Sequence, residues 1–336
     1  MPTWGDILQE LEASKPGNNG TSDYDGVRRK YLGQLHGLTE RNVVIYYTDW
    51  FRQGSRAVTI SLEDMQAMME VLKGLKGPSL DILIHSPGGS AEATRSVVEY
   101  LRCKFTDIRA FIPLAAMSAA TMWALSCDEI VMGQHSQLGP IDPQLFLPSG
   151  SGAVPARAIL DQFDQAKREI KADRALLTAW IPIIQQYGPA LLKQSETAEA
   201  LSRRLVREWL VKYMLNGQPD AKAKAARIAR YFASYRKHQS HLMGIYRDDA
   251  RSQGAKVTDL EVDPALQDAV LSVHHAAMHA LGGTAVKIVE NHLGKAFITH
   301  QTAMQVPMPV VLPGPALPPG GQPAPRPTPR PQPPQP

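Results

Sequence analysis

The chain has 336 residues, 43% hydrophobic and 20% charged, the make-up of a folded globular protein with a sizeable core, which excludes a disordered chain. Its formal net charge is +4, but the 36 Lys and Arg residues are scattered among 32 acids rather than gathered in a stripe, so no nucleic-acid partner is expected. The two cysteines, Cys103 and Cys127, are too few for a disulfide framework; both fall in apolar segments and read as buried thiols of a reducing compartment.

The first residues, "MPTWGDILQELEASKPGNNG", are acidic and polar, with no basic start, apolar run or small-residue cleavage site, so they do not read as a signal peptide. Residues 1–40 are expected as a leader, partly mobile, because "SKPGNNGTSD" concentrates turn-forming residues. From 41 to 150 the pattern is that of an α/β core. The segments 42–48, 80–86, 107–114 and 129–133 are short, apolar and rich in β-branched residues, as strands are. Between them 61–77, 91–104 and 118–127 carry helical periodicity. Strands alternating with helices predict a parallel sheet covered by helices.

Past Pro143 the character turns helical. Long, charged, amphipathic stretches at 156–177, 189–214 and 220–237 predict a helical insertion over 151–240. Residues 241–300 return to the core and add C-terminal helices, with 262–281 as one of them. The stretch 301–336 is a Pro-rich tail, "PAPRPTPRPQPPQP" at its end, expected to be disordered and extended. It is either a solvated tail or a ligand for a proline-recognition partner. No segment approaches the roughly 18 consecutive apolar residues of a membrane span, so no transmembrane segment is expected and the protein reads as cytoplasmic.

Two short stretches carry chemistry. In "ILIHSPGGSAEAT" (82–94) a strand runs through Ser-Pro-Gly-Gly into a helix. Two glycines stand where backbone amides approach a ligand at a positive helix N-terminus. The stretch is either a tight turn or an oxyanion site. The second is Ser118, between a strand and a helix. Serine there is either a helix cap or a nucleophile raised at the carboxyl end of a parallel sheet.

Together these stretches resemble the ClpP/crotonase superfamily, in which a Pro-Gly-Gly turn after a strand supplies the oxyanion hole and a later serine attacks. Within it, "SAATMWALSCDEIVMGQHSQLGPIDPQ" (118–144) is most similar to the serine dehydrogenase proteinase family, SppA-like relatives, with "LGPIDPQ" the most distinctive piece. A second similarity lies in "HQSHLMGIYRDDARSQGAKVTDLE" (238–261). The resemblance implies a ClpP/crotonase-like fold, homo-oligomeric assembly and a serine peptidase acting on peptide or unfolded protein. Ser118 would be the nucleophile, with the amides of Gly88, Gly89 and Ala119 holding the oxyanion.

The general base stays open. ClpP proteases carry a histidine soon after the serine, and here that neighbourhood reads Ile141, Asp142, Pro143. Either His238 or His241 acts with Asp142, or Lys167 or Lys171 acts as in SppA-type enzymes, or the chain has no base. Two other functions compete. A crotonase-like acyl-CoA enzyme would use Glu92, and an inactive oligomeric scaffold would display the Pro-rich tail. No cofactor is expected, and no GxxxxGK[ST] motif occurs. His275 and His279, spaced i and i+4 with Glu290 and His292 beyond, have metal-ligand spacing but no intervening glutamate. They are expected to be packing residues, and no metal is expected.

Overall fold

The computed structural model describes residues 3–51, 56–147, 152–283 and 285–300; the Pro-rich tail expected over 301–336 lies outside them. In chain order the elements are α1 (Trp4–Ser14), α2 (Tyr24–Thr39), β1 (Asn42–Thr48), α3 (Asp64–Leu72), β2 (Ser79–His85), α4 (Ala91–Lys104), β3 (Asp107–Ile112) and β4 (Ala115–Ala116). Then come α5 (Ala119–Leu125), β5 (Glu129–Met132), β6 (Gln137–Leu138), β7 (Gln144–Phe146), β8 (Ala153–Pro155), α6 (Ala156–Ala172), α7 (Leu177–Ile184) and α8 (Leu191–Lys212). The last are α9 (Ala221–Phe232), α10 (Tyr235–His238), α11 (Arg247–Ser252), β9 (Val257–Asp259), α12 (Pro264–Leu281), β10 (Ala285–Asn291) and β11 (Ala296–His300).

The main sheet has the order β11-β10-β1-β2-β3-β5-β9. From β1 to β9 its neighbours are parallel, while β10 and β11 join antiparallel at one edge. Side chains alternate across it, as the pleat requires. Val44, Tyr46, Ile82, Ile84 and Ala110 enter a core shared with α3, α4, α5, α8 and α9. Val43, Ile45, Tyr47, Leu83 and Phe111 enter a second core shared with α1, α2 and α12. Helices on both faces explain why the strands read as nearly unbroken apolar runs.

Three expectations need correction. In place of a partly mobile leader, residues 4–39 form α1 and α2. Ile7 and Leu11, one turn apart, are buried on α1, and Val27, Tyr31 and Leu35 do the same on α2. Arg28 of α2 is buried and donates from Nε to Glu290 of β10, which is also buried. The second correction concerns Cys103: it is exposed, because the buried stripe of α4 runs through Ala93, Val97 and Leu101. Cys127 is buried, which pushes its thiol up to about 12. Third, the helix expected to run to 177 ends at Ala172. The helices of 151–240 pack into the same core as the strands, through Leu205, Trp209, Ile228 and Phe232. Among the described residues no helix is long and apolar enough to cross a membrane.

Candidate active site

Ser118 stands between β4 and α5 with φ 52° and ψ −120°. For a residue with a Cβ that conformation costs about 1–3 kcal/mol and persists only where the surroundings over-determine it. They do so here. β4 pairs in parallel with β6, and Ala116 bridges to Ser86 on its other side. Thr121 Oγ1 donates to the Ala116 carbonyl at 2.7 Å and accepts from the Gly139 amide at 2.9 Å. The Ser118 side chain makes no capping hydrogen bond to its helix. A cap is therefore not what holds a serine at this position.

The Pro-Gly-Gly turn lies against the same point. A Cβ on Gly88 (φ +96°) would stand 2.6 Å from the Met117 carbonyl, 2.8 Å from the Ala119 nitrogen and 2.8 Å from the Ser118 Cβ. No other residue fits there. Gly89 forms a parallel bridge with Ile60: the Ile60 amide donates to the Gly88 carbonyl at 2.8 Å, and the Ser90 amide donates to the Ile60 carbonyl at 2.9 Å. In such a bridge the flanking groups face the partner, so the Gly89 amide faces the other way. Among the described residues neither the Gly89 nor the Ala119 amide donates to an acceptor. Gly88 differs, because its amide donates to Ser86 Oγ at 3.1 Å. Of the three amides expected to hold an oxyanion, that of Gly88 is thus already bonded within the turn.

His241 and Asp142, 99 residues apart, are joined by a hydrogen bond of 2.8 Å between His241 Nδ1 and Asp142 Oδ1. Asp142 is 2% exposed and His241 21%. The other Asp142 oxygen accepts from Gln144 Nε2 at 2.9 Å. Strand pairings connect the segments that carry this pair to the one that leads into Ser118. Ala116 pairs in parallel with Leu138, and Leu138 pairs antiparallel with Ile245. Stepping forward from Ala116 to Ser118, forward from Leu138 to Asp142 and backward from Ile245 to His241 therefore leads the same way.

The other candidates fall elsewhere. Lys167 is 60% exposed on α6 and pairs with Asp164 at 2.6 Å; Lys171 is exposed on the same helix. His238 is buried, with Nε2 bonded to the Tyr231 carbonyl at 2.8 Å. Glu92 is exposed in the first turn of α4, where it accepts from Ser90 Oγ at 2.8 Å. His279 stacks on Trp4 with ring centroids 3.8 Å apart, and His275 meets the same ring edge-on.

Sequence reasoning missed the buried polar groups at the end of β2, three residues before the glycine turn. His85, fully buried at the end of β2, accepts from Trp50 Nε1 on its Nε2 at 2.9 Å. Indole can only donate, so the proton of this neutral ring sits on Nδ1. Burial pushes the His85 pKa down to about 4. Tyr47 Oη and His274 Nδ1 meet at 3.2 Å beside it, and burial also holds His274 well below the usual range.

A mostly parallel sheet between helices, with a strained serine heading one helix and a glycine turn pressed against it, is a ClpP-like α/β fold. Residues 58–215 match the family of ClpP-like SDH-type serine proteinases. The matched segment holds Ser118, the glycine turn and Asp142, and ends before His241. Similar proteins include uncharacterized protein MJ0137 of Methanocaldococcus jannaschii, 31% identical over 155 residues that make up 44% of this chain and 52% of that protein. Uncharacterized protein MJ1495 of the same organism is 27% identical over 154 residues, 44% of this chain and 51% of that protein. The chain spans about half the length of these relatives. A solved structure of a mutant of the 1510-N membrane-bound stomatin-specific protease aligns with a TM-score of 0.36 and 15% identity, over 59% of this chain and 74% of that one.

Proposed function

We propose that the protein hydrolyses peptide bonds with Ser118 as nucleophile, His241 as general base and Asp142 as the group that orients it. Asp142 accepts a hydrogen bond from Nδ1–H of His241, which leaves Nε2 to take the Ser118 proton as Oγ bonds to the peptide carbonyl carbon. The carbonyl oxygen becomes an oxyanion facing the amides of Gly89 and Ala119, each worth about 3–4 kcal/mol when preorganised. His241 then gives its proton to the leaving amine, and water, deprotonated by the same imidazole, releases the acyl group. One observation carries this reading: the buried Asp142 holds His241 at 2.8 Å at the end of the paired segments that bear Ser118. The substrate is a short or unfolded peptide. We also propose a homo-oligomer, by resemblance to this superfamily, and a cytoplasmic setting, since both cysteines are free thiols.

A fluorophosphonate probe tests the assignment. The unmodified protein is expected to be labelled at Ser118, and Ser118→Ala to lose the label. His241→Ala should slow labelling by about 10²–10⁴-fold, the usual contribution of a general base. Labelling unchanged in His241→Ala would overturn the choice of base, and no labelling of the unmodified protein at any pH would favour the scaffold reading. Turnover of an acyl-CoA thioester that survives Ser118→Ala would favour the crotonase-like one.

A further inference from the structure

Behind the glycine turn lies a buried ion pair that plays no part in that chemistry. Lys287 of β10 and Asp64 at the start of α3 are 5% and 3% exposed, and Lys287 Nζ donates to Asp64 Oδ1 at 2.6 Å. Lys287 Nζ also donates to the Thr59 carbonyl at 2.9 Å. Asp64 Oδ2 accepts from Tyr46 Oη at 2.8 Å and from the Ser61 amide at 2.9 Å. The pair thus grips the chain on both sides of Ile60, by the carbonyl before it and the amide after it. What Ile60 has left to offer, its own amide and carbonyl, is bonded to the Gly88 carbonyl and the Ser90 amide.

From this we infer that Lys287 and Asp64 are positioning residues for the oxyanion hole, an inference that rests on the serine-peptidase reading above. A buried ion pair is weak evidence for stability, since apolar residues of the same volume usually replace it at no loss. What such residues would not do is hold a bare backbone segment by both of its polar edges. With 59–61 fixed, the bridge to Ile60 fixes the plane of the 88–89 peptide, and with it the direction of the Gly89 amide. Released, Ile60 and the turn shift together, and a donor misplaced by less than an ångström loses much of its value.

The test uses Ser118 labelling in the full chain. Removing one charge alone strands the other in the core, so the main variant is Asp64→Asn with Lys287→Met, which removes both and keeps their size. Tyr46→Phe, which deletes one hydrogen bond and no charge, is the mild member of the series. The double variant is expected to stay folded and label about 10- to 100-fold more slowly, with Tyr46→Phe in between. The pH midpoint of labelling should not move, because His241 and Asp142 are untouched. Affinity for a peptide aldehyde, whose adduct carries the oxyanion, should fall by a similar factor while affinity for a product peptide holds. Unmodified labelling rates in the folded double variant, or in Tyr46→Phe if the double variant does not fold, would overturn the inference, as would a shifted pH midpoint. Absence of labelling in the unmodified protein would instead remove the peptidase reading itself.

Discussion

Replacing Gly88 by alanine tests the closeness of turn and serine directly. An alanine Cβ would stand 2.6–2.8 Å from three neighbours, where ordinary contact begins at 3.4 Å, so something must move by about 0.6–0.8 Å. Two of the three are backbone atoms, of Met117 and Ala119, and the segment carrying them is fixed. The Met117 amide donates to the Ser86 carbonyl at 2.9 Å and the Ser86 amide to the Ala115 carbonyl at 3.1 Å. Alanine also has to adopt φ near +96°, which costs roughly 1–2 kcal/mol, and overpacking adds about 1–3 kcal/mol. Gly88→Ala should therefore lose about 2–5 kcal/mol of stability in urea unfolding. The same displacement separates the Gly89 and Ala119 amides, so labelling of the folded fraction should fall by about 10²-fold. A Gly88→Ala protein with unmodified stability and labelling would refute the argument, since it would show that the turn yields without moving Ser118.

Substitution at Ser118 should follow backbone strain rather than capping: Ser118→Gly is expected to be more stable than Ser118→Ala by about 1 kcal/mol, judged by denaturation midpoints, and equal midpoints would count against strain at φ 52°. Lys167→Ala and Lys171→Ala should label at the unmodified rate, because both lysines are exposed on α6; a loss in either would reopen the lysine dyad. Stability should fall as pH drops from about 6.5 towards 4. In that window the unfolded chain binds protons that buried His85, pushed down to about 4, and His274, held well below the usual range, refuse. Below the folded value His85 alone withdraws roughly 3 kcal/mol. Urea unfolding at a series of pH values should show that slope, reduced in His85→Gln, and a flat profile would defeat the assignment.

The strands of the core were legible because burial on both faces leaves an apolar run that no other element of that length produces. Ser118 and the glycine turn were legible because a resemblance joined two stretches that are each ambiguous alone. Asp142 and His241 were named by the same route, although nothing local marks either as a partner of the other. What stayed hidden is what distance along the chain hides. Lys287 meets Thr59 across 228 residues, and Arg28 meets Glu290 across 262. Each charged residue reads by itself as solvated, and only tertiary packing gives it a partner in the core. The bond of the Gly88 amide stayed hidden for a different reason. Ser86 Oγ, two residues away, competes for it, and such local side-chain bonds depend on a rotamer the sequence does not specify.

The 99 residues between Asp142 and His241 pose a physical question, since a histidine delivered by so long a connection must still be held to a fraction of an ångström. Loop closure itself grows only slowly with length; the difficulty is rigidity. The connection is not slack, because α8 and α9 bury Leu205, Trp209, Ile228 and Phe232 in the same core as Ile82 and Ala110. The chain that leaves α9 is then pinned to the segment bearing Asp142 at both ends. The Ile141 amide donates to the Phe232 carbonyl at 2.8 Å, and Leu138 and Ile245 exchange hydrogen bonds of 2.9 and 2.8 Å. Between those clamps His238 closes back on the Tyr231 carbonyl, which leaves His241 on a short tethered loop whose position follows from residues 138–141. Asp142 is part of that same run, so the proposed base and its orienting carboxylate are referenced to one piece of backbone. That piece pairs through Leu138 with Ala116, two residues before Ser118. The helical segment thus behaves as part of the scaffold: it returns the chain to a strand that already pairs beside the serine.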